Sequence, residues 1–355
     1  MAWASSASVS TGTTARWRVY SPGEFPRFVS AWNALNDSQG GVCVLDAMFV
    51  ASALDAFGDG RERLGVRSRG DDVDAIGLFV PERLAAWRTF QPSQMPLGAF
   101  VARPGVDIDE ALGSLLGALP GFALAVSLTQ QDPALTPLPP TSGTLASMPY
   151  IETAWVAVDS SFDDYWAKRG KNLRTNVRRQ LARLDAEKTV HRLDVVRRAD
   201  EVASAIADYG TLESAGWKAQ GGTAVHGENA QGRFYRELFE DFCREGSGRI
   251  YRYCIGERIA AMDLCVEANG TLVILKTAYD EFFKAVSPAS LMRFEYFRPL
   301  FDRREVRRIE FYGRLMEWHT RWTDEKRTLY HVNRYRGRYI RHAHRVANAL
   351  SNRIR

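Results

Sequence analysis

Lys276 and Asp263 are the residues whose types fit their surroundings least. Lys276 interrupts the run Thr271-Leu-Val-Ile-Leu-Lys276-Thr-Ala-Tyr279, and Asp263 sits within Ala-Ala-Met-Asp-Leu-Cys. Both runs read as buried strands, where a charge is costly unless it is paired. Asn269-Gly270 between them is a strong hairpin signal, so the two strands are neighbours. Two readings stand: a structural ion pair, or polar groups lining a site at the sheet.

Three further groups of residues carry types that could do chemistry. Tyr312 ends a strand read over 307–312, beside Gly313. Ligands of open α/β sheets bind outside strand ends, and a tyrosine there can donate a proton to a leaving thiolate. A core ring with a satisfied hydroxyl is the alternative. Glu317, Trp318 and His319 follow closely, and Glu213, Trp217 and Lys218 form a similar polar and aromatic group suited to an acceptor pocket. The third group is the segment after Tyr279, which runs through Lys284 to Ser287-Pro288-Ala289-Ser290-Leu291 and Arg293. Ser287 fits a helix N-cap and Pro288 the first helical position. A strand that delivers a loop to a helix start offers free amides and the positive end of a dipole, which suit a phosphate or pyrophosphate.

The elements that must position these residues follow from periodicity. Strands are read at 16–20, 63–69, 73–80, 122–128 and 150–158, and helices at 24–35, 42–57 and 107–119. Residues 131–149 are rich in Pro, Thr and Ser and read as the seam between an N-terminal half, 1–149, and a C-terminal half, 150–355. In the second half, Ser161 and Asp164 mark the start of a helix read over 162–184. Helices at 199–212 and 232–245 follow, then strands at 249–255, 259–267 and 271–279. A helix at 288–298 ends at Pro299. Ile340, Ala343, Val346, Ala347, Leu350 and Ile354 read as one face of a terminal amphipathic helix.

Composition bounds the class. The chain has 355 residues, 45% hydrophobic and 25% charged, as expected of a globular protein of two domains or two halves. No apolar run has the length of a membrane span, and the N-terminus lacks the pattern of a secretory signal, so a cytoplasmic location is expected. The four cysteines form no Cys-x-x-Cys pair and the six histidines show no ligand spacing, so no metal site is expected. The net charge of +5 is uneven. Residues 162–184 carry seven Lys/Arg against two Asp, and 326–355 carry nine Lys/Arg and no acid. Such patches suit anionic partners or a solvated helix face.

The order of these features resembles a known family. Phe162-x-x-Tyr165-Trp166-x-x-Arg169-x-Lys171-x-x-Arg174-x-Asn176-x-Arg178-Arg179-x-x-x-Arg183-Leu184 is similar to a signature helix of bacterial GNAT-type N-acyltransferases associated with cellulose and other exopolysaccharide biosynthesis. The runs Arg258-Ile-Ala-Ala-Met-Asp263-Leu, Lys276-Thr-Ala-Tyr279-Asp280, Ser287-Pro288-x-x-Leu291 and Ile309-Glu310-Phe311-Tyr312-Gly313, then Arg321-Trp322, match the same pattern. The resemblance spans about 16–330 and is strongest from 150 onward. It implies an α/β fold of two GNAT-like halves, each a mixed, mostly antiparallel sheet flanked by helices, related to the Fem-type peptidyltransferases.

The resemblance also implies an acyl-CoA site in the second half, with acetyl-CoA or another acyl-CoA as co-substrate. Lys284, Ser287, Ala289, Ser290, Leu291 and Arg293 then hold the cofactor. Tyr312 is the acid toward the thiolate, and Asp263 or Glu317 the base. Lys276, Tyr279, Glu213, Trp217, Lys218 and Trp318 shape the acceptor site. The expected reaction is direct attack of a small-molecule or saccharide amine on the thioester. An aminoacyl-tRNA donor, in the Fem manner, and a non-catalytic binding protein of an envelope or polysaccharide pathway are the alternatives. DNA is not an expected partner, and contact with a membrane surface stays open.

Overall fold

A computed structural model describes residues 14–215 and 229–345. The first half contains β1 (Arg16–Tyr20), α1 (Val29–Ser38), α2 (Ala47–Phe57), β2 (Arg63–Arg69), β3 (Asp72–Pro81), β4 (Ala86–Thr89), β5 (Phe100–Ala102), α3 (Ile108–Ala118) and β6 (Ala125–Gln131). The long strand β7 (Leu145–Ala157) leads into α4 (Phe162–Ala167), α5 (Lys171–Ala186), β8 (His191–Val196), α6 (Ala199–Ala215) and α7 (Ala230–Arg244). Then come β9 (Gly248–Ile255), β10 (Arg258–Ala268), β11 (Thr271–Tyr279), α8 (Pro288–Arg303), β12 (Arg308–Glu310), α9 (Glu317–Thr320) and β13 (Lys326–Tyr335).

The strands form one sheet in the order β1-β2-β3-β4-β6-β13-β7-β12-β11-β10-β9-β8, with β5 on β3. All neighbours are antiparallel except β4–β6 and β11–β12. Those two parallel pairs occupy matching places on either side of the β13–β7 centre, so the order reads alike from both ends. Two mixed, mostly antiparallel halves flanked by helices are what the sequence led us to expect. The seam is different. Position 149/150 falls inside β7, and β13, from the far end of the chain, returns to pair with both β6 and β7. Each half thus shares its central strands with the other.

Local chemistry accounts for most element ends. Asn269 and Gly270 have φ of +50° and +74°, the left-handed pair that a tight hairpin requires. Asp107 caps α3 by accepting the amides of Asp109 and Glu110 at 2.9 and 3.2 Å. Ser161 accepts the Asp164 amide at 3.1 Å and donates to its carboxylate at 2.7 Å, giving the capped start expected for α4. The helix read over 162–184 is broken into α4 and α5, because Gly170 takes an extended N-cap conformation. Pro299 lies within α8 rather than ending it.

Three apolar clusters hold these layers. One joins α2, α6 and α7 to one face of β10 and β11, through residues such as Phe49, Tyr209, Phe239 and Leu264. The second packs α5 and α8 on the opposite face, through Val177, Leu291, Phe297, Cys265 and Ile274. The third packs α3 on the first half's strands. The four cysteines are free and buried. Among the described residues no helix is long and apolar enough to cross a membrane, and no cluster of His, Cys, Asp or Glu is placed to hold a metal.

Candidate active site

β11 carries the site on both its faces. It pairs with β12 only from Thr271 to Val273, so the two parallel strands separate beyond that point. On its other edge the register with β10 slips between Leu264 and Cys265, which pair with Lys276 and Ile274. Leu275 is therefore a bulge residue, of the kind that often re-aims side chains beside active sites. After the bulge, Lys276 stands on the α6 face and Thr277 on the α8 face.

On the α8 face lies a pocket of about 500 Å³, lined by Tyr279, Lys284, Ser287 to Ser290 and Trp318. Ser287 occupies the N-cap position as expected, with a difference. Its φ of +55° lies in the left-handed region, and its hydroxyl caps no amide. Instead that hydroxyl accepts from the Asn176 amide nitrogen at 3.3 Å. Gln180, one turn along α5, donates to the Ala285 carbonyl at 3.2 Å. The basic helix thus braces the loop from behind. The amides of Ser290 and Leu291 turn back to the Ser287 carbonyl at 2.9 and 3.3 Å, while that of Ala289 has no partner among the described residues. Leu291 itself is fully buried in the core, so its amide and side chain are both withdrawn from the pocket.

Asp263 and Arg293 form the pocket's foundation rather than its chemistry. Arg293 donates from Nε and Nη2 to the two carboxylate oxygens at 3.0 and 3.1 Å. Tyr296 donates to the same carboxylate at 2.8 Å, and Thr277 at 2.5 Å. Asp263 is wholly buried. With its oxygens taken by four donors it cannot serve as a base for an incoming amine, and the expectation is corrected accordingly. Arg293 is likewise committed. Its guanidinium is spent on Asp263 and lies 4.4 Å over the Trp318 ring, so it is no free partner for a phosphate. The cations at the pocket's rim are Lys284, whose side chain is 71% exposed, and Arg321, which the sequence reading quoted in the family pattern without giving it a role. Arg321 is paired at 2.8 Å with Glu317. Glu317 is 84% exposed on α9 and stands outside the pocket lining, which removes it from the role of base.

His319 lies buried beneath Trp318, their rings stacked at 3.6 Å. Its Nδ1 accepts the Met316 amide at 2.8 Å. Burial, and then the Arg293 charge, lower its pKa from 6.5 to about 4.

On the opposite face of β11 lies a second groove of about 490 Å³, between the halves. Lys276 faces it, with Tyr235, Arg314, Arg88 and the loop around Gln91 and Gln94. Lys276 does not pair with Asp263. It bonds the buried Glu213 at 3.1 Å and lies 5.4 Å from the Tyr235 ring centre. Glu213 therefore backs the groove from α6. Trp217 and Lys218 lie outside the described residues.

Tyr312 borders this groove and not the α8 pocket. Its hydroxyl donates to Asp132 at 3.1 Å, and Arg327 clamps the same Asp132 and Glu310. Burial, with Asp132 beside it, pushes the Tyr312 hydroxyl well above its ordinary range. A phenol so weakened as an acid, and placed away from the α8 pocket, does not fit the proton donor expected for a thiolate there. Burial likewise raises the Glu310 carboxyl. These groups bind β12 and β13 to the first half.

The sequence reading therefore located both sides of β11 but merged them. Tyr279, Lys284, Ser287, Ala289, Ser290 and Trp318 meet at one pocket, and Lys276 and Glu213 at the other. Arg88, Gln91, Tyr235 and Arg314 were missed, because nothing in their local sequence separates them from surface or core residues, and Arg321 was quoted only as part of the family pattern. Asn176 and Gln180 offered a signal: with Asn172 they are three amides at helical spacing on a helix whose other residues are mostly basic or apolar.

Residues 171–320 match the family model described as the acetyltransferase (GNAT) domain. Comparison with curated proteins gives no match. Among solved structures, the chain is similar to the C-terminal domain of a protein named as a lysylphosphatidylglycerol synthetase from Agrobacterium fabrum, with a TM-score of 0.56, 13% identity, and 87% and 92% of the two chains covered. It is also similar to FemX, with a TM-score of 0.54, 11% identity, and coverage of 87% and 94%. A conserved protein from Bacteroides thetaiotaomicron gives a TM-score of 0.55, 10% identity, and coverage of 86% and 97%. At these identities the likeness is one of fold. The GNAT match spans the α8 pocket and the bulged strand, but ends before β13.

Proposed function

We propose that the protein transfers an acyl group from acyl-CoA to an amine by direct attack on the thioester. The observation that carries this reading is the pair of pockets on opposite faces of β11, lined by neighbouring residues of the strand just beyond its pairing with β12. In this reading the α8 pocket holds the donor. The pyrophosphate sits at the α8 N-terminus, on the Ala289 amide and the helix dipole, with Lys284 and Arg321 beside it. The acyl thioester runs along β11 toward the bulge, and the amine approaches from the other groove. Positioning of the two reactants supplies most of the rate, since alignment converts a bimolecular step into a unimolecular one.

Among the described residues, no carboxylate lines the groove to take the amine's proton directly. Lys276 supplies another means. Its ion pair with Glu213 presents the cationic end to the groove, which disfavours an ammonium beside it and lowers the amine's pKa, so the acceptor enters neutral. As the thioester carbon is attacked, the C–S bond breaks and CoA leaves as thiolate. Tyr279, which lines the donor pocket, is the residue we assign to protonate it, its phenolate then taking a proton back from solvent. The amine's surplus proton leaves to solvent through the open groove. A saccharide amine, as the family resemblance suggests, is the acceptor class we favour.

Calorimetry with CoA and acetyl-CoA tests the donor. Micromolar binding that is lost in Lys284→Glu/Arg321→Glu supports the assignment, and no heat at millimolar CoA removes it. The exposed arginines of α5 beside the same loop favour one further reading, an aminoacyl-tRNA donor. Salt-sensitive tRNA binding in the absence of CoA binding would select it.

A further inference from the structure

β4, β6 and β13 lie side by side, with Ala86 next to Ala125 and Ala125 next to Tyr335. Neighbouring strands run ~4.8 Å apart. The turn before β4, the turn before β6 and the turn after β13 therefore form a row at one end of the sheet. Backbone hydrogen bonds tie the row together. The Leu124 amide donates to the Ala85 carbonyl at 2.8 Å, and the Arg336 amide to the Leu124 carbonyl at 2.8 Å.

The turns before β4 and β6, and the helix that starts at residue 338 after β13, each hold one large apolar side chain out to solvent. Leu84 is 89% exposed, Phe122 70% and Tyr339 84%. Phe122 had been read as the start of a buried strand; β6 begins three residues later, at Ala125. Leu84 and Ala85 have φ of +59° and +55°. Non-glycine residues enter that region at a cost of about 1–2 kcal/mol each, so local strain turns this leucine outward. Single exposed apolar residues are ordinary, but three at this end of the sheet form a patch.

The charge around the patch has one sign. Arg83 precedes Leu84. Arg336 lies 4.1 Å over the Phe122 ring and donates to the Ala123 carbonyl at 2.7 Å. Arg338 and Arg345 follow, both exposed. Residues 326–345 contain no acid. The one acid of the three turns, Glu82, is paired with Arg88 at 2.9 Å. Apolar side chains that can enter the headgroup boundary, ringed by arginines, make the two-part signal of reversible attachment to an anionic membrane. A nucleic-acid site would use Phe122 and Tyr339 as stacking platforms, but the most exposed of the three residues is the aliphatic Leu84, which stacks no base and suits the headgroup boundary.

We propose that this row docks the protein on the surface of an anionic lipid bilayer. Leu84, Phe122 and Tyr339 enter the headgroup layer, and Arg83, Arg336, Arg338 and Arg345 meet lipid phosphates. Arg88, two residues into β4 from the tip, lines the groove between the halves, whose other first-half walls lie at or beyond the far ends of β4 and β6. The attachment stands independently of which reaction the groove supports.

Vesicle flotation with the full chain tests this. The protein is mixed at low salt with vesicles of phosphatidylcholine alone, or with about 30% phosphatidylglycerol. It is expected to float with the anionic vesicles, to stay behind with the neutral ones, and to be released as salt rises. Leu84→Asn/Phe122→Ser/Tyr339→Ser should lower the partition at least about tenfold. Asparagine tolerates the left-handed backbone at 84, and an unchanged thermal melt shows that the variant is folded. Arg338→Ser/Arg345→Ser should weaken binding and flatten its salt dependence. The proposal is overturned if the wild type stays behind with anionic vesicles, or if the triple variant floats as well as the wild type. It is also overturned if single-stranded RNA binds the protein, displaces it from the vesicles and binds the triple variant more weakly, which would give the patch to nucleic acid.

Discussion

Lys276 and Thr277 are chain neighbours that serve opposite faces of β11. Lys276 reaches Glu213 on the α6 side and Thr277 reaches Asp263 on the α8 side. This division separates what substitutions on the strand should do. Lys276→Met keeps the length of the side chain and removes its charge. It should raise KM for the acceptor and move the acid limb of the rate profile upward, because the amine then titrates nearer its free value. CoA affinity should stay within about twofold, since no Lys276 atom faces the donor pocket. A loss of CoA binding equal to the loss of turnover would show that the two pockets are not divided as described.

Arg293 and Asp263 carry a different expectation. Both are buried, and removing one partner leaves an unpaired charge in the core. Arg293→Met should cost about 3–5 kcal/mol in urea unfolding. The double variant Arg293→Met/Asp263→Leu should recover much of that, because two apolar side chains need no partner. If the double variant were no more stable than Arg293→Met, the pair would not be an isolated structural unit.

Tyr312→Phe separates an acid from an anchor. The hydroxyl donates to Asp132, which keeps Arg327 when the hydroxyl is gone. The variant should lose about 1 kcal/mol of stability, the worth of one hydrogen bond. Its kcat at saturating substrates should match the wild type. A fall of a hundredfold in kcat at unchanged stability would restore Tyr312 to the chemistry.

Much of this was legible in the sequence, and the failures have physical causes. Elements came from periodicity and caps, and Asn269-Gly270 fixed the hairpin that sets Asp263 beside the end of β11. Lys276 and Asp263 stood out because charges in strands must be paired. Their partners could not be read, because Glu213 and Arg293 come from helices on opposite sides of the sheet. A one-residue bulge at Leu275 then shifts the alternation beyond it, turning Lys276 to the α6 face and Thr277 to the α8 face, and no periodicity predicts a bulge. Tyr312 looked like a strand-end acid because its partner Asp132 is distant in sequence. Phe122 looked buried because hydrophobicity says what a side chain prefers, and surface patches violate that preference.

Ser287 gives a test of loop geometry. Its φ of +55° is one that glycine adopts freely and β-branched residues resist. Ser287→Gly relieves backbone strain but gives up the bond from Asn176, so its stability should stay within about 1 kcal/mol of the wild type. Ser287→Val should lose about 2 kcal/mol and weaken CoA binding, because the first turn of α8 must shift. Equal CoA affinity in both variants, measured by calorimetry, would mean that this turn does not hold the donor.

His319 makes the donor side sensitive to acid. Its pKa in the folded protein is about 4, against an ordinary 6.5, because the ring is buried and near Arg293. Between these values the unfolded chain binds a proton that the folded one does not, so stability rises with pH across that range. The contribution is fully present above pH 6.5 and is lost as pH falls toward 4. For a buried group it is of order 3 kcal/mol. Protonation also removes the acceptor for the Met316 amide, which holds the start of α9 and with it Trp318. The melting temperature of the wild type should therefore drop between pH 6.5 and 4, with CoA affinity falling in parallel, and His319→Gln should flatten both curves. Parallel acid curves in wild type and variant would assign the transition to other groups.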